Sequence, residues 1–177
     1  MRLSVYTIAI KTYAPVLRTL SEILDKAAEH AGPDADALGE ARLAPDMFPL
    51  VKQVQIACDH AKNGTARLMG KEAPRFEDDE KTLAELKARI ARTLDYLDSA
   101  SPSDFEGAEE RHLSIPLFEG HTLEMNGTQY LRDWSLPNFY FHVVTAYDIL
   151  RANGAPIGKR DYLAHAGYAI HERAQTA

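Results

Sequence analysis

Two histidines stand out, each inside an apolar stretch with helical spacing: His60 in APDMFPLVKQVQIACDHAKNGTARLMG and His142 in LPNFYFHVVTAYDILRANG. Neutral imidazole is donor and acceptor at once, and its ordinary pKa of about 6.5 lets it hold a metal or carry a proton near neutrality. Two such rings at mid-helix positions beside core residues predict a site between packed helices. Metal ligation and proton transfer both fit the pair. A pair of core histidines hydrogen-bonded to side chains or waters would leave the same pattern.

Other reactive types are weaker candidates. Cys58 lies mid-helix with no local positive charge or helix N-terminus to activate a thiol, so packing is its expected role. Tyr13, Tyr140 and Tyr147 could turn hydroxyls toward the same site, though aromatics at helical spacing more often build a core. Asp59 sits about 100° round the helix from His60 and is expected in solvent. His112 and His121 flank a hairpin at the surface, and His30, His165 and His171 fall at helix ends or in the tail, without assigned function. The chain has no Gly-rich phosphate loop, no C-x-x-C pair and no G-x-S-x-G elbow.

Four helices have to position the pair. The first runs from Ser4 to about His30, with Val5, Ile8, Val16, Leu20 and Leu24 on one face, Pro15 inside it and Gly32-Pro33 ending it. The second, capped by Asp46, carries Leu50, Val54, Ala57, Ala61 and Leu68 to about Met69, with Gly70 as its stop. Thr82-Leu83-Ala84-Glu85 is a capping box opening the third, whose stripe is Leu83, Leu86, Ile90, Leu94 and Leu97. From His112 to Met125 the apolar period shortens to two across Glu119-Gly120-His121, which predicts a hairpin. The fourth helix runs from about Thr128 to Ala152 with a kink near Pro137, and a short helix is expected after Gly158 with loose final residues. The sum is an all-α four-helix bundle with a short β-hairpin inserted before the last helix.

The 177 residues suit one domain, read as 1–163 with a C-terminal tail 164–177. A formal charge of -6 repels phosphate backbones, which argues against nucleic acid. The single cysteine implies a fold that stands without disulfides, as in a reducing cytoplasm. Lys11 interrupts the apolar N-terminal stretch, against a signal peptide, and no apolar run is long enough to span a bilayer.

Two stretches carry a family likeness: Leu43-Ala44-Pro45-Asp46-Met47-Phe48-Pro49-Leu50 running on to Cys58-Asp59-His60-Ala61-Lys62, and Leu136-Pro137-Asn138-Phe139-Tyr140-Phe141-His142. On these the chain resembles the DinB-like superfamily of bacterial helical bundles, within a branch of unknown function. The resemblance implies a helical bundle, often dimeric, with a pocket between helices. In metal-binding members, one histidine of the second helix joins an i, i+4 histidine pair of the last helix around a divalent ion, which activates a thiol or a water. Carried over, that set falls on His60, His142 and Asn138. An amide oxygen is a poor ligand for zinc or nickel, so the set implies weak binding of Zn²⁺, Ni²⁺ or Mn²⁺, or none.

Two functional readings follow. One is a small-molecule enzyme, of thiol-transferase or hydrolase type, using His60 and His142 with a metal or as general bases. The other is a non-catalytic homodimeric binding or scaffold module that keeps the pocket without its ion. Asn138 in place of a third histidine favours the second.

Overall fold

The computed structural model describes residues 3–166. The chain is mostly helical with one two-stranded antiparallel hairpin. Helix α1 spans Val5–Ala31, α2 Leu50–Met69 and α3 Leu83–Asp98. Strands β1, His112–Pro116, and β2, Thr122–Asn126, follow. The last long helix, α4, opens as Gly127–Gln129, widens to a π-helical stretch over Tyr130–Ser135 and continues as Leu136–Ala152. A short helix α5, Lys159–Tyr162, comes next. The remainder of the tail, including His171, lies outside the described residues.

Local chemistry explains the boundaries. The Ser4 hydroxyl accepts the Thr7 amide at 3.1 Å and starts α1, which continues through Pro15 and stops where Gly32 turns to φ 58°. The Thr82 capping box forms, with the Glu85 amide donating to Thr82 Oγ1 at 3.1 Å and the Glu85 carboxylate accepting the Thr82 amide at 2.9 Å. Asp36, from the 3₁₀ segment Gly32–Glu40, adds a third acceptor there by taking the Leu83 amide at 3.0 Å. Asp46, by contrast, does not cap α2. That helix begins after Pro49, because residues 43–47 are spent on a turn closed by the Met47 amide on the Ala44 carbonyl at 3.0 Å. Two prolines so close to the helix start delay it by several residues.

The core forms where α2 lies along α4 and where α1 and α2 each pack on α3. Leu17, Leu24, Leu50, Ala57, Leu86 and Ile149 are among its fully buried members. The hairpin turns Leu113 and Ile115 into this core, and its register pairs Leu113 with Met125 and Ile115 with Leu123. Glu119 and Gly120 take the positive φ values, 52° and 74°, that the tight turn requires.

The polar centre of the fold is Arg89, whose side chain is wholly buried. It pairs with Glu80 at 3.2 Å, Asp78 at 2.9 Å and Asp59 at 3.1 Å, and donates to the Glu77 carbonyl at 2.9 Å. Gln55 donates to Glu80 at 2.9 Å, and Lys62 bonds the Pro74 carbonyl at 2.8 Å and pairs with Asp59 at 3.3 Å. Lys62 and Arg92 both lie over the Phe76 ring, 4.6 Å and 4.9 Å from its centroid. These groups fasten the irregular segment 70–82 to α2 and α3. Asp59 is therefore a partner in a charge cluster and not the solvated residue its sequence position suggested. The sequence holds no sign of this, because Arg89 is thirty residues away.

Arg89→Met should cost about 3–5 kcal/mol, since it removes the buried cation of Glu80 and leaves only the half-exposed Arg92, at 3.2 Å, beside that carboxylate. Urea unfolding measures this, and adding Glu80→Leu to the same chain should recover a large part of the loss.

Candidate functional site

The two histidines meet. His60, on α2, and His142, on α4, stack with ring centroids 5.8 Å apart and planes 16° from parallel. Both are partly buried. His142 Nδ1 lies 2.7 Å from Gln53 Oε1, and Gln53 is itself buried, with its Nε2 donating to the Phe48 carbonyl at 3.0 Å. With the amide nitrogen so committed, Gln53 offers His142 an oxygen. His142 must then carry its proton on Nδ1, which leaves the Nε2 lone pair free.

Electrostatics hold the rings neutral. Burial, then the neighbouring His142, then the charge of Arg67 push His60 down to about 4, against a small opposing effect of Asp59. Burial lowers His142 as well. Phe141 stands edge-on to His142 at 5.3 Å and is more than half exposed, so the pair has an apolar edge open to solvent.

The remaining candidates are placed as follows. Asn138 lies one turn before His142 on α4, but its Nδ2 donates to the Trp134 carbonyl at 2.7 Å, and no hydrogen bond joins it to His142 among the described residues. It serves the backbone where the helix widens: the Leu136 amide reaches back five residues to Leu131, and Pro137 brings no N–H of its own. The kink expected at Pro137 corresponds to this π-helical stretch just ahead of it. Tyr13 is fully buried, bonded to Ser135 at 2.7 Å and edge-on to Phe139, while Tyr147 packs on Tyr162. Tyr140 is partly exposed, with its hydroxyl turned to Thr12 of α1. Cys58 is buried and burial pushes its thiol up to about 12, which removes it as a nucleophile. His112 is exposed and lies 2.9 Å from Glu124.

Sequence reasoning overlooked Gln53, Gly64, Arg67, Ser135 and Tyr130. Gln53, His60 and Arg67 recur every seven residues and so share one face of α2. Gly64 lies on the same side, and a Cβ there would meet Ser135 Oγ at 2.7 Å and Tyr13 Oη at 3.0 Å. Its lack of a side chain is what lets α4 come so near. Arg67 donates to the Tyr130 hydroxyl at 3.2 Å. Down the seam, Gln53 and His60 face His142, Gly64 faces Ser135 and Arg67 faces Tyr130, so the two helices run antiparallel with a polar ladder between them. Seven-residue spacing of polar groups within an apolar helix was the signal available.

As a cation site the arrangement is poor. Two nitrogens on one tetrahedral ion at about 2.1 Å lie roughly 3.4 Å apart with their lone pairs converging, whereas these rings are stacked in near-parallel planes. The third candidate donor is an amide oxygen, and a guanidinium stands close enough to disfavour positive charge on His60. Among the described residues no group of three or more His, Cys, Asp or Glu side chains could hold a metal ion.

A family model described as a domain of unknown function, DUF1993, matches residues 5–163. Among solved structures the chain is similar to a DinB family member protein from Shewanella denitrificans, with 43% identity and a TM-score of 0.83 over 95% of this chain and 94% of that one. No curated protein matches. The chain belongs to the DUF1993 family, a DinB-like domain of unknown function.

Two outcomes are expected. His60 titrates near 6.5 when unfolded and near 4 when folded, so the unfolded chain binds the proton first and stability falls as pH drops from about 6.5 to about 4. The slope contributed is at most about 1.4 kcal/mol per pH unit, and His60→Gln should flatten the urea-midpoint profile across that window. Nitrogen chemical shifts of His142 should report a proton on Nδ1, and Gln53→Leu should allow the other tautomer.

Proposed function

We propose that this DUF1993 protein uses His60 and His142 as a neutral imidazole pair that receives a small molecule between α2 and α4. The observation that carries the reading is the Gln53 bond to His142 Nδ1, which leaves Nε2 as a fixed acceptor beside a second neutral ring. Such a pair accepts a hydrogen bond from an O–H or N–H group and can act on it as a general base. Phe141 at the edge of the pair favours a ligand with an apolar or aromatic body. Whether the bound molecule is turned over or only held distinguishes the enzyme from the binding module, and the missing third histidine inclines the reading toward the second.

The metal-dependent alternative places Zn²⁺, Ni²⁺ or Mn²⁺ on His60, His142 and Asn138 Oδ1. We infer that such an ion would be held weakly, for the reasons of geometry and charge given above. We further propose that the four long helices form the DinB-like bundle as a single domain, 1–163, and that the protein acts as a bacterial cytoplasmic homodimer. No helix among the described residues is long and apolar enough to cross a membrane.

The test uses p-cresol, which joins an aromatic body to an O–H donor, against toluene, which lacks the donor. Titrated into the ¹⁵N-labelled protein, p-cresol should move the Nε2 resonances of both histidines and toluene should not, and Gln53→Leu should weaken the response. Equal effects of the two would remove the acceptor role. In parallel, the shift that each metal causes in the melting temperature of untagged protein should be no larger than the shift it causes in a His60→Ala/His142→Ala chain. A metal at one hundred times its dissociation constant would instead stabilise the wild type by roughly 2.7 kcal/mol, and that result would restore the metal reading.

A further inference from the structure

Two turns along α2 from His60, about 10.5 Å by helical rise, the seam ends in a pair of hydrogen-bond donors with nothing to receive them. Arg67 is partly buried, and its guanidinium carbon lies 5.9 Å from the centroid of the Tyr130 ring. Its only polar partner among the described residues is the Tyr130 hydroxyl, at 3.2 Å. That contact joins two donors. Arginine has no lone pair to offer, so the hydroxyl oxygen accepts from Arg67 and its own hydrogen remains to be given away. Tyr130 is fully buried, yet among the described residues nothing accepts that hydrogen.

Arg89 is surrounded by Glu80, Asp78 and Asp59, and its charge is matched in place. Arg67 has no carboxylate within ion-pair distance among the described residues. A half-desolvated guanidinium beside a buried free O–H is complementary to an oxyanion, which can take a two-pronged bond from the guanidinium and a third from the phenol.

We propose that Arg67 and Tyr130 form an oxyanion-binding subsite at the far end of the α2–α4 seam, taking the carboxylate or phosphoryl group of a small molecule. The subsite extends the histidine reading along one helix face, since a ligand anchored here by its anion could lay an O–H or N–H against the imidazoles two turns away. It stands on different residues and can be tested apart from them.

The experiment follows the Arg67 Nε–Hε resonance of the ¹⁵N-labelled full chain as sodium acetate, sodium phosphate or, at matched ionic strength, sodium chloride is added. Acetate or phosphate should displace it along a saturating curve, while chloride gives only a shallow drift. Saturation by acetate alone identifies a carboxylate ligand, and by phosphate alone a phosphoryl one. Tyr130→Phe, which keeps the ring and removes the donor, should weaken binding roughly tenfold or more, and Arg67→Met should abolish it as read from the Tyr130 ring signals. His60→Gln should leave the anion response intact, so that failure of the imidazole pair and failure of the subsite read differently. A response equal to that of chloride, or one unchanged by Tyr130→Phe, would overturn the proposal.

Discussion

The buried contact between Arg89 and its carboxylates sets the rotation of α2, and the site depends on that rotation. Asp59 and His60 are adjacent in sequence and point about 100° apart around the helix. Once Asp59 is tied to Arg89 at 3.1 Å on the α3 side, His60 is turned toward α4. Lys62 and Gln55 fasten the same helix to the segment 70–82 through Pro74 and Glu80, so α2 is held from three directions on its far side. Moving charges into an interior is costly unless each finds a partner of good geometry. Here the cost secures one orientation of one helix, in a seam where apolar packing alone would tolerate small rotations.

On the facing side the seam is polar in a different way. The cluster around Arg89 balances charge against charge, whereas the ladder from Gln53 to Arg67 contains no carboxylate. Its groups are amide, imidazole, hydroxyl and one guanidinium, so the local potential is positive, while burial above all, with Arg67 adding to it at His60, keeps the imidazoles unprotonated. A site with that potential receives neutral donors and anions more readily than cations. The two polar systems share α2 and divide its circumference: one locks the helix, and the other is presented by it.

Much of the architecture was legible because it is written in local rules. The Ser4 and Thr82 caps, the glycine stops at Gly32 and Gly70, the helical stripes and the hairpin turn at Glu119-Gly120 each depend on residues a few positions apart. The meeting of His60 and His142 was legible from two mid-helix imidazoles set beside core positions. Asp46 misled because its capping signal is sound in isolation, and only the prolines at 45 and 49 move the helix start beyond it. Asp59 misled, and Gln53 escaped notice, for a deeper reason. A polar residue on a helix reads as solvated unless its partner is known, and the partners, Arg89 and His142, are 30 and 89 positions away. The π-helical stretch has no propensity signature, since it arises from fitting the residues before Pro137 to a helix whose registry is fixed at both ends.

That stretch bears on why residue 138 is an asparagine. The DinB-like resemblance implies a metal ligand at this position, whose side chain would have to point into the seam with a lone pair free. Here the helix widens just before it, and the Trp134 carbonyl is bonded by the side chain of residue 138 at 2.7 Å. An asparagine amide does this while sitting partly buried, because it pairs a donor with an acceptor on one short stem. An imidazole at 138 would face two demands, covering that carbonyl and offering a nitrogen to an ion, in a seam where Arg67 already disfavours positive charge on His60. The backbone geometry of α4, the identity of residue 138 and the positive potential from Arg67 therefore agree with one another. They describe a seam organised for neutral donors and anions, in which the two imidazoles persist as acceptors.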